Sequence, residues 1–534
     1  MPPRGAPTAR ASAAADEAVP SGPAALRGPL PQRVRAALQS WGPGLLSRWR
    51  AAAREIGHPL TAEGVRLRVG TDCSGLDAPV LALRAMGLKC QHQCSCDSAK
   101  PAQAFLEANV ARAGGPLRPL GSAAPRMFQD MLRRDHDAMP ELDVYACGFP
   151  CQPFSLLHHG SRLLREAKAR PFYAMLGTLR SRLPALAVLE NVVGIYRVLG
   201  KIWRLLRALG WYDVYTLTLD PKHMGEPVAR PRAYFVLVRV DVAVPNADSV
   251  VARMARLGVT SERADLADRV LTSDVVPGPA PAAARGQQPP TSSETKWRAQ
   301  HQGRPQARLS RPVHGLSERE DGALRIMLAE AGLRDLTPHV NVDVSQSVDR
   351  CTLTPYCPTV TPNARIVLGQ QRRLLSPIEK CLVHLVPVDQ LRWPDSLTHG
   401  DVARLGGNTM HLMAVGKALL FGLALVDWAS PAARLRPPGD AKPPRAPAQP
   451  RQWSCRPREG WPGGPCRRAG RPGSPGRPCR RAGRPERRCV LAAARDDLGG
   501  RAVLVAALDD RRDVLPSHSF RSVVADVVGR ACGA

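Results

Sequence analysis

No apolar run in this sequence is long enough to span a bilayer, which takes about 20 consecutive apolar residues. The most apolar stretch, His411–Trp428, is interrupted by Lys417 and is predicted to be a buried helix. The N-terminus lacks a compact apolar segment followed by a small-residue cleavage site, so nothing there indicates secretion. We therefore expect no membrane partner, and an intracellular protein whose 14 cysteines are reduced thiols.

Acidic residues are scarce relative to basic ones. The 534 residues include 75 Lys and Arg against 46 Asp and Glu, a formal net charge of +29 at pH 7. Such a surplus favours binding to polyanions, nucleic acid first. Between Pro431 and Val490, 16 basic residues stand against 3 acidic ones. We expect the basic low-complexity tail, residues 431–534, to be disordered and to add salt-dependent affinity for DNA.

Paired metal-binding cysteines are also absent. Cys90, His92, Cys94 and Cys96 alternate along one segment, and neither they nor the tail cysteines form a Cys-x-x-Cys pair. Structural zinc sites usually combine two such pairs at a regular distance. We therefore expect no metal site.

From Val65 onward the sequence alternates between strand-like and helix-like segments. This alternation predicts an α/β fold with a doubly wound, mostly parallel sheet. Residues 1–64 are expected to form a weakly ordered leader with a helix around Val34–Ile56. The main predicted elements are a strand at Val65–Val69, a helix at Ala78–Met86, strands ending at Ala146 and Leu189, and strands at Tyr212–Leu219 and Ala233–Val240.

The rhythm changes after residue 242, which predicts a core at 65–242 and a smaller region at 243–370. Within that region, Val276–Arg308 is rich in Pro, Ala, Gln and Ser and is predicted to be a loop or linker. Residues 371–430 are expected to return to the core. Helices are predicted at Ser317–Ala331, Ser376–Val386 and Asn408–Val426.

A cysteine lies on a proline-flanked turn directly after one predicted strand. The run Gly148-Phe149-Pro150-Cys151-Gln152-Pro153-Phe154-Ser155 follows the apolar stretch Leu142–Ala146. A turn at this point exposes the thiol at the carboxyl edge of an α/β sheet, where such folds bind ligands. These eight residues resemble the catalytic loop of the DNA (cytosine-5)-methyltransferase family.

The resemblance implies that Cys151 is a nucleophile. Carbon 5 of cytosine attacks a methyl donor poorly until a thiolate adds to carbon 6. The thiol must first lose its proton, which a positive environment or a helix beginning soon after Ser155 would favour. The neighbouring Pro150 is implied to lie beside the cofactor.

Two further blocks carry the catalytic part of the resemblance. Leu186–Val192 contains Glu190 and is similar to the family's Glu-Asn-Val motif, which implies that Glu190 assists at cytosine nitrogen 3. Gly225–Arg232 is similar to the Gly-x-Pro-Gln-x-Arg-x-Arg block, with valine in place of glutamine. Arg232 is implied to position the cytosine ring, and Arg230 to lie beside the ring or against the backbone.

The turn after the first strand is similar to the family's glycine-rich motif, which implies S-adenosylmethionine as cofactor. Ser74 and Gly75 match the motif. Cys73 stands for its phenylalanine, whereas Asp77 and Ala78 stand for glycines. The strand, tight turn and helix around these residues suit a cofactor pocket that includes Cys73, Ser74 and Gly75.

Three more residues are implied to complete that pocket. Asp97 stands in the segment for the ribose, and Asp130 in the segment near the adenine. Arg373–Glu379 resembles the family's Arg-x-Leu-Thr-x-x-Glu block, and Gly407–Met410 its Gly-Asn-Ser/Thr block. We expect Asn408 to cap the helix that this last block opens.

Together these blocks predict an S-adenosylmethionine-dependent methyltransferase acting on carbon 5 of cytosine in duplex DNA. The target base would be flipped out of the duplex, and residues 243–370 would form the target-recognition domain. Two alternatives stay open: methylation of cytosine in transfer RNA, and a catalytically weak DNA-binding regulatory paralogue. We expect a nuclear protein, or an organellar one if the Ala/Arg-rich N-terminus is a transit peptide; the sequence identifies no protein partner.

Overall fold

The computed structural model describes residues 29–55, 57–58, 60–112, 115–117, 123–155, 163–256, 264–271, 292–350 and 352–437, together with the backbone of 490–495 and 501–506. The transit-peptide alternative concerns the first fifty residues, of which 1–28 lie outside the described residues. Most of the tail predicted to be disordered lies outside them as well.

A single mixed sheet forms the centre of the described structure. Its strand order is β11-β12-β6-β7-β5-β4-β1-β2-β3. Strands β1 to β5 pair in parallel, whereas β7 is antiparallel to both β5 and β6. The predicted doubly wound, mostly parallel sheet is therefore confirmed. The strands are β1 Leu67–Asp72, β2 Cys90–Cys96, β3 Arg126–Phe128, β4 Val144–Cys147, β5 Leu186–Val192, β6 Tyr212–Leu219, β7 Arg232–Arg239, β11 Val490–Arg495 and β12 Arg501–Ala506, with β8 to β10 in a second sheet.

Helices cover both faces of the sheet because neighbouring strand residues point to opposite sides. Val188 belongs to the apolar core on one face, and its neighbours Ala187 and Leu189 belong to the core on the other. The helices are α1 Gln32–Glu55, α2 Ala78–Ala85, α3 Lys100–Leu106, α4 Arg170–Arg182, α5 Leu199–Arg207, α6 Ala247–Arg256, α7 Ser292–His301, α8 Glu318–Glu330, α9 Glu379–Leu382, α10 His399–Asn408 and α11 Leu412–Leu423.

Helix α1 differs from the weak order expected for the leader. It buries Leu38, Trp41, Leu45 and Trp49 in the same core as α2 and α11. Gly42 lets it approach α2 closely, since a Cβ there would lie 2.1 Å from the Ala85 carbonyl oxygen. The predicted helix is present, and its apolar face explains why it is held against the core.

The smaller region contains an antiparallel sheet in the order β10-β9-β8. Its strands are β8 Asn341–Asp343, β9 Ile366–Leu368 and β10 Arg373–Leu374. The prediction of a loop at Val276–Arg308 is wrong for the residues that form α7. Trp297 of this helix packs against Gly322 of α8. Ser317 and Glu320 form a capping box at the start of α8, close to the predicted boundary.

The C-terminal part of the core is more broken than predicted. The helix expected at Ser376–Val386 contains only the short α9, and Leu385 adopts a positive φ of 66° just after it. The helix expected at Asn408–Val426 is divided between α10 and α11. In the part of the chain that the structure describes, no helix is long and apolar enough to cross a membrane.

Two strands lie in the segment predicted as a tail. β12 pairs in parallel with β6 and in antiparallel with β11. Their sequences, VLAAAR and RAVLVA, are apolar, unlike the Pro- and Gly-rich run that precedes them. The domain boundaries at 64, 242, 370 and 430 stay predictions.

Candidate active site at the carboxyl edge of the sheet

The predicted site residues gather at one edge of the sheet. Strands β1 to β5 are parallel, so the loops after β1, β2, β3 and β4 all leave from the same edge. Strand β7 runs the other way, which brings its first residue, Arg232, to that edge near Glu190 of β5. Elements far apart in sequence therefore supply one site.

The Cys151 loop is held by backbone and aromatic contacts. The Cys151 carbonyl oxygen accepts hydrogen bonds from the amides of Phe154 and Ser155, each 2.9 Å long. Phe149 and Phe154 are buried with ring centroids 6.0 Å apart. The side-chain amide of Asn191 donates to the Phe149 carbonyl oxygen at 2.9 Å. The second residue of the Glu-Asn-Val motif thus fixes the loop that carries the thiol.

Gly148 allows two other elements to approach this loop. A Cβ at Gly148 would lie 2.7 Å from Cε of Met410 and 3.5 Å from Oε2 of Glu190. A Cβ at that distance would force the end of the flexible Met410 side chain to shift, so the glycine permits the close approach seen here. Met410, which the motif comparison did not single out, therefore contributes to the wall of the site.

Glu190 and Arg232 form an ion pair, with Nε of Arg232 2.9 Å from Oε1 of Glu190. Both side chains keep 12% of their surface exposed. Such a partly buried ion pair with a short N–O distance orients both groups more strictly than a surface pair does. The structure therefore brings together the two residues that the resemblance assigned to the cytosine ring.

The Cys151 thiol lies within electrostatic range of this pair. Burial raises its pKa above the ordinary value of 9.0 and Glu190 raises it further, whereas Arg232 and Arg230 lower it. The positive environment expected to activate the thiol is thus present but outweighed by burial and the carboxylate. A helix start beside Cys151 is not found in the described residues: Gln152–Ser155 form a turn, and residues 156–162 lie outside them.

Tyr234 is a neighbour of this pair that sequence analysis missed. It is fully buried and is the cross-strand register partner of Glu190. Its hydroxyl has no hydrogen-bond partner among the described residues. Burial and the Glu190 carboxylate raise its pKa, while Arg232 and Arg230 oppose the rise. Its position two residues after Arg232, on the same strand face, was the available signal.

Arg230 binds backbone carbonyl groups rather than the open site. Its guanidinium is buried and donates to the carbonyl oxygens of Val360, Gly407 and Thr409 at 2.7, 3.1 and 2.7 Å. Burial lowers its pKa to about 9, and the nearby Arg232 contributes to this. Of the two expected placements, the structure has the one against the backbone.

Val228, in place of the family's glutamine, is an apolar anchor. It is fully buried in a cluster with Cys357, Val360 and Ile366. The backbone beside it pairs with the end of the smaller region, since the Cys357 amide donates to the Pro227 carbonyl at 2.8 Å. Val228 therefore contributes apolar packing between the core and the smaller region.

The loop after β1 has the strained backbone of a tight turn. Cys73, Gly75 and Asp77 all adopt positive φ, at 50°, 54° and 59°. The amide of Gly75 donates to the carboxylate of Asp97 at 2.9 Å, and that of Ala99 donates to the same carboxylate at 2.9 Å. Asp97 therefore lies directly beside the loop, and its burial raises its pKa although both amides lower it.

Asp130 lies at the same edge, after β3. One carboxylate oxygen accepts the Leu132 amide at 2.9 Å, and Arg133 is 3.6 Å away. The Gln103 side chain donates to the carbonyl oxygens of Asp97 and Gln129, at 2.8 and 3.4 Å, and so ties the two acidic segments together. The predicted ribose and adenine residues are thus neighbours.

Asn408 does not cap a helix, which corrects the prediction. It is exposed and is the last residue of α10, while the residue before α11 is His411. The α10 helix ends there because Thr409 turns to an extended conformation, with φ −67° and ψ 150°. The inward-facing residues of the motif are Thr409 and Met410, both buried.

Pro150 precedes Cys151 and is half-buried.

In the described parts of the chain, no group of three or more His, Cys, Asp or Glu side chains could hold a metal ion. Cys94 and Cys96 belong to β2 and are buried in the apolar core. The tail cysteines lie outside the described residues.

Part of the chain is similar to known proteins. Residues 73–278 match the C-5 cytosine-specific DNA methylase family. The Type II methyltransferase M.MspI of Moraxella sp is 29% identical over 114 residues, 20% of this chain and 27% of that protein. The DNA (cytosine-5-)-methyltransferase DMT5 of Cryptococcus neoformans is 27% identical over 199 residues, 32% of this chain and 8% of that protein. The chain spans well under two thirds of the length of either relative.

Solved structures are similar over a longer stretch. The S. pombe Dnmt2 methyltransferase aligns with 67% of this chain and 98% of its own, at 16% identity and a TM-score of 0.40. The Entamoeba histolytica methyltransferase EhMeth aligns over the same shares, at 12% identity and a TM-score of 0.39.

Proposed function

We propose that this chain, a member of the C-5 cytosine-specific DNA methylase family through residues 73–278, transfers a methyl group from S-adenosylmethionine to carbon 5 of cytosine in DNA. The observation that carries the proposal is the Glu190–Arg232 ion pair beside the Cys151 loop. A nucleophile, a carboxyl group and a guanidinium at one sheet edge are what attack on a cytosine ring requires.

Cys151 would form the covalent bond. As its thiol proton leaves to water, the sulfur adds to carbon 6 and makes carbon 5 electron-rich. Carbon 5 then takes the methyl group, its own proton leaves to water, and the S–C6 bond breaks to release 5-methylcytosine. The raised pKa of the Cys151 thiol keeps it protonated at neutral pH in the free protein, which limits unwanted reactions before the substrate binds.

Glu190 and Arg232 would act on the opposite side of the ring. Addition at carbon 6 places negative charge on nitrogen 3, where a carboxyl group can donate a proton or a hydrogen bond. The guanidinium of Arg232 holds Glu190 from Nε at 2.9 Å. The Arg232 side chain keeps 12% of its surface exposed, which leaves the guanidinium accessible to a polar group of the base.

The cofactor would supply an activated methyl group on a sulfonium centre. The loop after β1 fits such a ligand, because among the described residues nothing lies within 4 Å of a Cβ placed on Gly75. The buried hydroxyl of Thr409 has no partner among them either. Cys73, Ser74 and Gly75 would line the pocket, Asp97 would bind the ribose, and Asp130 would lie near the adenine.

The basic surplus of the chain supports a polyanionic substrate. The family match and the DNA-methylating relatives support DNA over RNA, and a DNA substrate is our reason to place the protein in the nucleus. The target base would have to leave the stack to reach Cys151. Contacts to the bases would come from the smaller region.

A suicide substrate tests the covalent step. In duplex DNA containing 5-fluorocytosine, carbon 5 carries fluorine instead of a removable proton, so the S–C6 bond would persist after methyl transfer. We expect a denaturation-resistant protein–DNA complex that requires S-adenosylmethionine and is lost in Cys151→Ser. An enzyme that methylates ordinary DNA but forms no such complex would refute the covalent role of Cys151.

A further inference from the structure

Asp77 occupies a position where the family pattern has glycine, and it keeps a glycine-like backbone. It has φ 59° and ψ 42°, in the left-handed region, directly before helix α2. An aspartate is tolerated there better than most side chains but still needs compensating contacts. Its side chain is fully buried, so these contacts must come from the protein interior.

Three side chains bind the Asp77 carboxyl group. Thr71 donates its hydroxyl to Oδ1 at 2.9 Å, and Ser95 donates to Oδ2 at 3.0 Å. Nε2 of His92 lies 3.1 Å from Oδ2. Thr71 and Ser95 are register partners on β1 and β2, so the two strands that bear the cofactor loops converge on one carboxyl group.

His92 completes this network as a neutral donor. Burial lowers its pKa and Arg84 lowers it further, although Asp77 opposes the change. Nδ1 has no hydrogen-bond partner among the described residues. Nε2 faces three acceptors: the Asp77 carboxyl, the Ser95 hydroxyl at 2.8 Å and the Cys94 carbonyl at 3.2 Å. The proton is therefore assigned to Nε2.

The network extends into the loop itself. The Thr71 hydroxyl is 2.8 Å from the Ser74 hydroxyl. The Ser74 hydroxyl donates to the Cys96 carbonyl oxygen at 3.1 Å and accepts a hydrogen bond from the Cys96 amide at 3.0 Å. The Asp77 amide donates to the Ser74 carbonyl at 2.7 Å, closing the turn. Any movement of Asp77 would therefore displace Ser74 and Gly75.

We propose that Asp77, held by Thr71, Ser95 and His92, is a positioning residue that locks the loop 73–76 in the conformation that receives the cofactor. The identity of the ligand in this inference rests on the proposed function, whereas the fixing of the loop by Asp77 does not. The chain thus replaces a flexible glycine by a side chain that fixes the same backbone shape through buried hydrogen bonds.

Two variants of Thr71 form a matched test. Thr71→Val keeps the shape and removes the hydroxyl, whereas Thr71→Ser keeps the hydroxyl. We expect Thr71→Val to speed amide exchange at residues 73–76 and to weaken S-adenosylmethionine binding in titration calorimetry, each about tenfold. Thr71→Ser should stay within about twofold of the natural protein in both measurements. Equal losses in the two variants would overturn the lock.

Asp77→Gly and Asp77→Asn extend the test. Glycine should give at least the loss seen for Thr71→Val, and asparagine, which retains one acceptor and tolerates positive φ, a smaller one. Asp143→Asn is the control, because Asp143 is an equally buried carboxylate at the opposite edge of the sheet; it should lower thermal stability without changing cofactor affinity. Unchanged exchange and affinity in Asp77→Gly would overturn the proposal.

The two readouts separate the lock from the proposed function. If the natural protein fails to bind S-adenosylmethionine, the cofactor assignment falls. Amide exchange in the unliganded protein still decides whether Asp77 and Thr71 hold the loop.

Discussion

The carboxylate of Glu190 meets the guanidinium of Arg232 at 2.9 Å, across two antiparallel strands whose ends lie beside the Cys151 loop. The pair joins a residue near the end of one strand to the first residue of another. We expect it to be the part of the site that orients cytosine.

Replacing Glu190 by glutamine should slow methyl transfer without weakening cofactor binding. Glutamine keeps the size of the side chain and can still accept from Arg232, but it cannot provide the carboxyl proton at nitrogen 3. We expect kcat to fall by about 10²–10⁴-fold, the usual share of general acid catalysis. A steady-state assay with titration calorimetry checks this; a kcat within threefold of the natural protein would contradict the role.

The reactivity of Cys151 should depend on pH in a defined direction. Since burial and Glu190 raise its pKa above 9.0, the rate of alkylation by iodoacetamide should keep rising with pH up to a midpoint above that value and level off beyond it. Glu190→Gln removes one cause and should move the midpoint to lower pH. Labelled peptides resolved by mass spectrometry give the rate at this residue alone. A midpoint below pH 9 in the natural protein would contradict the described environment.

Arg230 and Arg232 should separate stability from catalysis. Arg230→Met leaves three buried carbonyl groups without a donor and should cost about 2–4 kcal/mol of unfolding free energy. Arg232→Met should cost less stability, because that side chain remains partly exposed, and should slow methyl transfer more. Denaturant unfolding and the transfer assay, run on both variants, check the contrast. The reverse order of effects would contradict the two assignments.

The pattern of strands could be predicted from its clear period. The Cys151 turn and the Glu190 and Arg232 blocks could be predicted because they resemble family motifs and lie next to those strands. The placement of Arg230 could not, since its carbonyl partners are more than a hundred residues away. The helix cap predicted at Asn408 was wrong for a related reason: a sequence block does not reveal whether its residues end one helix or begin the next. The packing of α1 depends on α2 and α11, and no local pattern in the leader reports those surfaces.

Gly148→Ala should impair the site by displacing Met410. The new methyl group would lie 2.7 Å from Cε of Met410, so the end of that side chain must shift in the wall of the site. We expect a clear fall in kcat/KM, and partial recovery in the double variant Gly148→Ala with Met410→Ala, which removes the clashing atom. Failure of the second change to restore any activity would show that the glycine is needed for another reason.

Two glycines of α1 should respond in opposite ways to alanine. At Gly42 the new Cβ would lie 2.1 Å from the Ala85 carbonyl oxygen, so Gly42→Ala should cost about 1–3 kcal/mol by overpacking. At Gly44 the nearest atom is Nη1 of Arg48 at 3.8 Å, so Gly44→Ala should stabilise the protein by about 0.5–1 kcal/mol through helix propensity. Equal melting temperatures for the two variants would contradict the described docking of α1.

The most direct test of the central claim is transfer of a labelled methyl group from S-adenosylmethionine to unmethylated duplex DNA, with transfer RNA in a parallel reaction and Cys151→Ser as control. The account predicts label at carbon 5 of cytosine in DNA, and none with Cys151→Ser. Label on transfer RNA alone would move the protein to the RNA-modifying alternative. No label on either substrate, from a folded protein that binds DNA, would contradict the enzymatic account and favour a regulatory paralogue.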